Sequence, residues 1–319
     1  MRLLVLGGTR FLGRHLVETA VDRGWEVTIF HRGTTPNPYA EVAEILGDRT
    51  RDLDRLHGRW DAAVDTCGYM PPDVDAAAAA LRDRVERYAF VSSVSVYPDD
   101  GPPRVTEDSP RRRLIEPVAT FEPARYGELK AGCEDALRAR FGADALIVRP
   151  GLIVGPWDYT DRFGYWVRRV ARGGRMLVPR DGAWRIPVVD ARDLAAFVLD
   201  RLAAADGETY DVPGAQPGAT FAALLDEIAR IAGSSPEPVW ADPDWLLAQN
   251  VAPWSELPLW APDFTLLERV TGQAARRAGL QTRPLAATIA DTLAWEGQHA
   301  VAGAALAPER EAELLRALG

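Results

Sequence analysis

The opening segment constrains the fold most, because an apolar strand runs into a glycine turn and straight on into a helix. Arg2–Leu6 has the near-continuous apolar character of a strand buried on both faces. Gly7-Gly8-Thr9-Arg10-Phe11-Leu12-Gly13 follows, and a helical pattern covers Phe11–Arg23. In such a strand–turn–helix the free backbone N–H groups and the helix dipole can hold a pyrophosphate. Gly7 permits the tight turn, and Gly13 lets the helix pack close to the sheet. The alternative, a turn with no ligand, carries less weight because strand, turn and helix all fall within the first 23 residues.

The alternation continues. Strands are expected at Glu26–Phe30, Glu44–Leu46, Asp61–Asp65, Tyr88–Ser92 and Ala145–Arg149, with helices over Asp75–Arg84 and Tyr126–Arg140. Short strands alternating with helices specify an α/β fold, here a Rossmann-type doubly wound parallel sheet. Residues 1–155 form the expected dinucleotide-binding domain. Residues 156–319 form a smaller, mainly helical substrate domain, and segments at about 185–212 interleave with the first. That second part predicts helices at Asp161–Ala171, Ala191–Ala204, Phe221–Ile231, Leu266–Ala278 and Ala286–Trp295. Its short strands are expected near Met176–Val178, Ile186–Val189 and Glu208–Val212. Trp240, Trp245, Trp254 and Trp260 sit among prolines and read as core more than as a pocket lining. The stretch from Pro98 to Pro123 is too long for a plain connector; it reads equally well as a lid or as a solvated insertion.

The end of the second strand bears on which dinucleotide fits. A carboxylate about 20 residues past the glycine turn would take a ribose 2′-OH. His31 and Arg32 stand there instead, and Arg10 adds a second positive charge, which suits a 2′-phosphate. NADP(H) is therefore preferred over NAD(H), against the plainer reading of solvated surface arginines. Gly47-Asp48-Arg49 falls where an aspartate could accept from an adenine amino group.

Tyr126 and Lys130 lie at i and i+4 on one helix face. Lys130 is the only lysine among 37 basic side chains, the other 36 being arginine. A lysine kept in so arginine-biased a chain is one whose compact ammonium and tunable pKa arginine cannot supply. A nearby ammonium favours a phenolate, which fits tyrosine for proton transfer at neutral pH. Ser93 ends the fifth strand at the sheet's carboxyl edge, where it could polarise a carbonyl or hydroxyl. For Ser92 and Ser95, turn and capping hydrogen bonds are the better reading.

Taken together, these residues resemble the extended and atypical short-chain dehydrogenases, the NAD-dependent epimerase/dehydratase family. The glycine loop, Ser92-Ser93 followed by Val96-Tyr97, Tyr126 with Lys130, and Arg149-Pro150-Gly151 with Gly155-Pro156 carry the resemblance. Val189-Asp190-Ala191-Arg192-Asp193-Leu194-Ala195 and Tyr210-Asp211-Val212 extend it to about residue 215. The resemblance implies Ser93 as catalytic serine, Tyr126 as general acid/base and Lys130 as the ribose-binding lysine. It also places Thr66, Cys67 and Gly68 beside the cofactor and Pro150 and Ile153 against the nicotinamide. Arg10 stands in place of the loop's usual middle glycine, which points to the atypical branch. No acid follows the second strand, and no Asp-Glu pair follows Ser93, which disfavours a sugar-nucleotide 4,6-dehydratase. The implied activity is an NADP(H)-dependent reductase or dehydrogenase acting on a small carbonyl or alcohol. The alternatives are a sugar-nucleotide epimerase and, from another class, a dinucleotide-sensing or RNA-associated protein.

Composition narrows the partners. A net charge of −9 lacks the basic face that nucleic acid or anionic membranes need. Two cysteines and four scattered histidines offer neither a disulfide framework nor metal-ligand spacing. No apolar run approaches the roughly 20 residues of a membrane span, and the apolar start is too short for a signal-peptide core. The expectation is a cytoplasmic, metal-independent monomer or homodimer with a small-molecule substrate.

Overall fold

The architecture was read from a computed structural model that describes residues 1–261, 265–299 and 305–319. In chain order the first half comprises β1 (Arg2–Leu6), α1 (Phe11–Asp22), β2 (Glu26–His31), β3 (Ala43–Leu46), β4 (Trp60–Asp65), α2 (Pro71–Leu81), β5 (Val85–Val91), α3 (Tyr126–Phe141) and β6 (Ala145–Pro150). Then follow β7 (Leu152–Val154), α4 (Arg162–Arg172), β8 (Gly174–Pro179), β9 (Arg185–Ile186), β10 (Val188–Asp190), α5 (Ala191–Ala203) and β11 (Thr209–Val212). The remainder is β12 (Ala219–Thr220), α6 (Phe221–Ala232), β13 (Pro236–Ala241), α7 (Pro243–Ala248), α8 (Leu266–Arg269), α9 (Gln273–Arg277), α10 (Leu285–Glu296) and α11 (Pro308–Leu318).

Seven parallel strands form the main sheet in the order β11-β6-β5-β4-β1-β2-β3. The order reverses between β1 and β4, and the crevice at such a switch point is where open α/β sheets bind ligands. Register fixes what meets there: Leu6 pairs with Phe30 and Asp65, and Asp65 pairs with Phe90. The turns after β1, β2, β4 and β5 therefore open at one edge.

Two apolar layers cover the sheet. On one face Leu16, Val17, Leu194 and Val198 pack with Leu3 and Val5; on the other Val74, Leu81 and Leu137 pack with Leu4 and Phe90. Each of these side chains is fully buried, worth roughly 1.5–3 kcal/mol apiece. A third core, around Trp166, Phe221 and Trp260, sits under the later helices. Trp184 stacks on Phe221 at 4.5 Å between ring centroids, so tryptophans here do build core.

Three of the differences from the sequence expectation have a clear local reason. Helix α2 starts four residues before Asp75, at a Pro-Pro pair: proline is at home in the first helical turn, though it reads as a break. The single helix expected over Leu266–Ala278 is two, because Val270 leaves it to bridge Val105 and Gly272 takes φ 57. Strand β13 carries Pro236 and Pro238, which argue against a strand in sequence; they are tolerated because β13 pairs only with β8.

The stretch 98–123 is held down by arginines. Arg269 donates to Pro102 O at 2.8 Å and to Pro98 O at 3.2 Å, Arg112 N to Val96 O at 2.7 Å, and Arg111 reaches Glu134 at 2.9 Å. Ile115, 86% exposed, marks its least anchored part.

Candidate active site

The glycine turn packs too closely for side chains. Gly7 and Gly8 take φ 105 and 95, and a Cβ at Gly7 would lie 2.5 Å from Thr66 Oγ1. At Gly13 a Cβ would fall 2.8 Å from Gly8 N, so the helix can seat against the turn only with glycine there. Arg10 occupies the N-cap of α1 in extended conformation without a side-chain cap, and no acid lies in the first turn. The first N–H groups of α1 thus face the switch point with no side chain capping them. Phe11 and Leu12 turn into the core, so they can offer a ligand only their backbone. Arg10 lies 3.8 Å from the Tyr159 ring centroid, beside Thr9 at the mouth.

At the end of β2 the structure separates the two residues that sequence treated together. Arg32 is exposed. His31 Nε2 pairs with Glu44 Oε1 at 2.6 Å, and its Nδ1 accepts from Gly33 N at 3.3 Å. The ring of His31 is committed to β3 and is not available to a phosphate; the expectation for it is corrected on that ground.

The Gly47-Asp48-Arg49 turn also divides. Asp48 Oδ1 accepts from Thr50 N at 2.9 Å and from Thr50 Oγ1 at 2.8 Å, closing the turn. Arg49 points inward. Its two terminal nitrogens donate to both oxygens of Asp65 at 2.8 Å each, and also reach Cys67 Sγ at 3.3 Å and Asp73 O at 3.2 Å. Burial alone would raise the Asp65 carboxyl, but the guanidinium, Cys67 N and the Tyr88 hydroxyl hold it below its usual range. Arg49 is thus a buried structural ion pair, and its side chain is corrected from the cofactor set. The same burial pushes the Cys67 thiol up to about 11, so it lies here as a neutral wall. Thr66 Oγ1 donates to Leu6 O at 3.0 Å, tying the β4 turn to β1.

Across the crevice, Ser93 caps the short helical turn after β5: its Oγ accepts from Ser95 N and donates to Ser95 Oγ, both at 3.1 Å. The capping role expected of Ser92 and Ser95 therefore falls partly on Ser93. Ser92 instead donates to Glu134 Oε1 at 2.5 Å, in a buried network where Arg149 grips both Glu134 oxygens and Tyr97 at 2.6 Å. This network braces the strand end beneath Ser93. Burial raises the Tyr126 pKa, and the neighbouring Ser93 hydroxyl and the charge of Arg162 oppose the rise.

Lys130, one turn along α3, is buried. Its Nζ donates to Val91 O at 2.7 Å and Gly68 O at 2.9 Å, and burial depresses its pKa to about 8. An ammonium has three donors, so one remains beyond those two. The lysine ties the end of β5 to the turn after β4, one helical turn along from Tyr126. Pro150 pairs with Val212 at the end of β6 in the main sheet, and Ile153 pairs with Val189 in the separate two-stranded sheet of β7 and β10. A phenol beside a serine hydroxyl, as Tyr126 lies beside Ser93, can exchange a proton with an oxygen seated near both.

Sequence reasoning missed Tyr69, Phe121, Tyr159 and Arg162, which surround Tyr126. Their only signal is nearness to a motif: Tyr69 follows Gly68 directly, and Tyr159 and Arg162 follow the Gly155-Pro156 turn. The tryptophan segment does not supply these aromatics, and Arg185 donates to Gly218 O at 2.7 Å.

A seven-stranded parallel sheet in this order, with a glycine turn at its switch point, defines a Rossmann-type α/β protein. The model of the NAD dependent epimerase/dehydratase family matches residues 3–67 and 73–212, and the chain belongs to that family. The chain is 28% identical to "Chloroplast stem-loop binding protein of 41 kDa b" of Arabidopsis thaliana, over 74% of its own length and 64% of that protein's. It is also 28% identical to ceramide reductase of Caulobacter vibrioides, over 61% of this chain and 59% of that one. The chain therefore spans under two thirds of these relatives' lengths. Among solved structures it superposes on the Bordetella bronchiseptica enzyme WbmH in complex with NAD+ with a TM-score of 0.72, at 17% identity, covering 93% and 98% of the two chains. No helix among the described residues is long and apolar enough to cross a membrane.

Proposed function

We propose that the chain is an NADP(H)-dependent reductase or dehydrogenase in which Tyr126 exchanges a proton with the oxygen of a small carbonyl or alcohol. The observation that carries this is the nearness of Tyr126 to Ser93 at the sheet's carboxyl edge, with the chain's only lysine one turn along the same helix. The open glycine turn and the uncapped start of α1 fit a pyrophosphate. Thr9 to Gly13 would hold it through backbone N–H groups, Arg10 and Arg32 would meet the 2′-phosphate side, and Thr66 to Gly68, Pro150 and Ile153 would flank the nicotinamide. When bound, the reduced dinucleotide supplies a hydride to the carbonyl carbon and leaves as the oxidised form. Tyr126 gives its proton to the carbonyl oxygen, Ser93 orients that oxygen, and Lys130 offers its remaining N–H to the ribose.

Cofactor preference tests the reading. NADPH is expected to bind at least about tenfold more tightly than NADH, as one charge-assisted phosphate contact contributes roughly 1.5–3 kcal/mol. Arg32→Ala should remove most of that difference and leave NADH affinity unchanged. Equal affinities in the unaltered chain overturn the NADP(H) assignment.

The Lys130 ammonium is present below about pH 8 and is lost above it. Dinucleotide affinity should therefore fall as pH rises from about 7 to about 9, by close to tenfold for one charge-assisted hydrogen bond. An affinity unchanged across that range removes Lys130 from the binding set.

The epimerase alternative uses the same three residues and differs by retaining its dinucleotide through turnover. A stem-loop-binding relative favours a second reading as an RNA-associated protein. The charge of −9 and the engagement of arginines such as Arg49, Arg111 and Arg149 with carboxylates stand against it. Stem-loop RNA retained at physiological salt would reverse that judgement.

A further inference from the structure

Large apolar side chains left in solvent are informative when they gather at one place. Tyr69, Phe121 and Tyr159 are 41%, 43% and 47% exposed, and all three gather at Tyr126. They come from three separate segments: the turn after β4, the loop before α3 and the loop after β7. Tyr69 meets Phe121 edge-to-face at 5.6 Å, and Phe121 meets Tyr126 the same way at 6.4 Å. Tyr159 neighbours Tyr69 and stands edge-on to Phe11 at 6.5 Å. A continuous aromatic rim thus runs from the glycine turn, across the crevice, to the proton-transferring hydroxyl.

The rim presents mainly ring faces and edges, with the Arg10 guanidinium 3.8 Å from the Tyr159 ring at its outer end. Edge-to-face pairs leave part of each ring open to a further ring, and such a wall favours flat apolar ligands over hydroxyl-rich ones. We infer that the substrate is an aromatic carbonyl compound or its alcohol, its ring laid against the exposed faces of Tyr69 and Phe121 and its oxygen at Tyr126. This substrate class rests on the reductase reading given above. Tyr69 and Phe121 are then specificity-determining residues, and they owe nothing to the tryptophan-rich segment.

The test compares naphthylethanol with its ring-saturated counterpart, decalylethanol. Binding to the NADPH-loaded full chain is followed by calorimetry; an alcohol beside reduced cofactor cannot react, so binding is read without turnover. Naphthylethanol should bind about threefold to tenfold more tightly, the range expected of aromatic pairing beyond simple area burial. Phe121→Leu should bring the two alcohols to the same affinity, and Phe121→Trp should preserve the preference. Phe121 is an exposed loop residue, so neither change threatens the core. Equal binding in the unaltered chain, no binding of either alcohol, or a preference untouched by Phe121→Leu each overturns the inference. Turnover of naphthyl methyl ketone with NADPH is measured separately. Aromatic-selective binding without turnover sinks the reductase reading and leaves the aromatic seat standing, whereas turnover of the saturated ketone at an equal rate does the reverse.

Discussion

Replacing Tyr126 by phenylalanine is expected to lower kcat by about a hundredfold to ten-thousandfold, the range that general acid–base catalysis contributes, with dinucleotide affinity unchanged within about twofold. The hydroxyl is the only atom group removed, and its polar neighbour is Ser93. The backbone of α3 and the Lys130 contacts to Gly68 and Val91 do not involve it, so the cofactor cradle should persist. In the free chain burial holds the phenol above its ordinary pKa, with Ser93 and the Arg162 charge opposing. In the reducing direction a protonated phenol is the required form. Steady-state rates on any accepted ketone, set beside a fluorescence titration with NADPH, check this. A variant retaining more than about a tenth of the activity would show that another group transfers the proton.

The largest stability effect is expected at Asp65. Changing it to alanine leaves the Arg49 guanidinium buried beside no counter-charge and strips acceptors from Tyr88 and Cys67 N. Breaking one side of a buried ion pair costs about 3–5 kcal/mol, which in a chain of this size lowers Tm by roughly 4–8 degrees. Replacing both partners, Asp65→Leu with Arg49→Met, should recover most of the loss, since two apolar groups leave no stranded charge. The pH dependence has a definite sign. Asp65 is held below its ordinary value, so its contribution is full above the usual carboxylate range and is lost as pH falls through the lowered value. Thermal unfolding of the three chains near neutral pH checks the ordering. A drop of under about two degrees for Asp65→Ala would mean that the pair is solvated and adds little.

That ion pair also shows where reading the sequence stops. Arg49 sits two residues past a glycine, in a turn that a Rossmann layout assigns to the adenine end. Nothing local says that its side chain turns under the sheet to reach a residue 16 positions on. His31 is similar: its place at the end of β2 is readable, but its capture by Glu44 depends on β3 pairing beside it. The aromatic rim is the strongest case. Tyr69, Phe121 and Tyr159 lie in three irregular segments whose periodicity carries no information, and each looks like an ordinary exposed ring until the loops meet.

The sequence by itself determined the order of strands and helices in the first half, the glycine turn at the start of α1, and the Tyr126–Lys130 spacing on α3. These are legible because each is a local pattern: an apolar run, a glycine where φ is positive, an i and i+4 pair on one helix. Only the tertiary structure decided that Ser93 reaches Tyr126 and that Lys130 bonds the carbonyls of Gly68 and Val91. It alone likewise set Arg49 into the core and the aromatic ring around the site. Each of these joins residues far apart in the chain, brought within hydrogen-bond or van der Waals range by packing, and packing partners leave no period in the sequence.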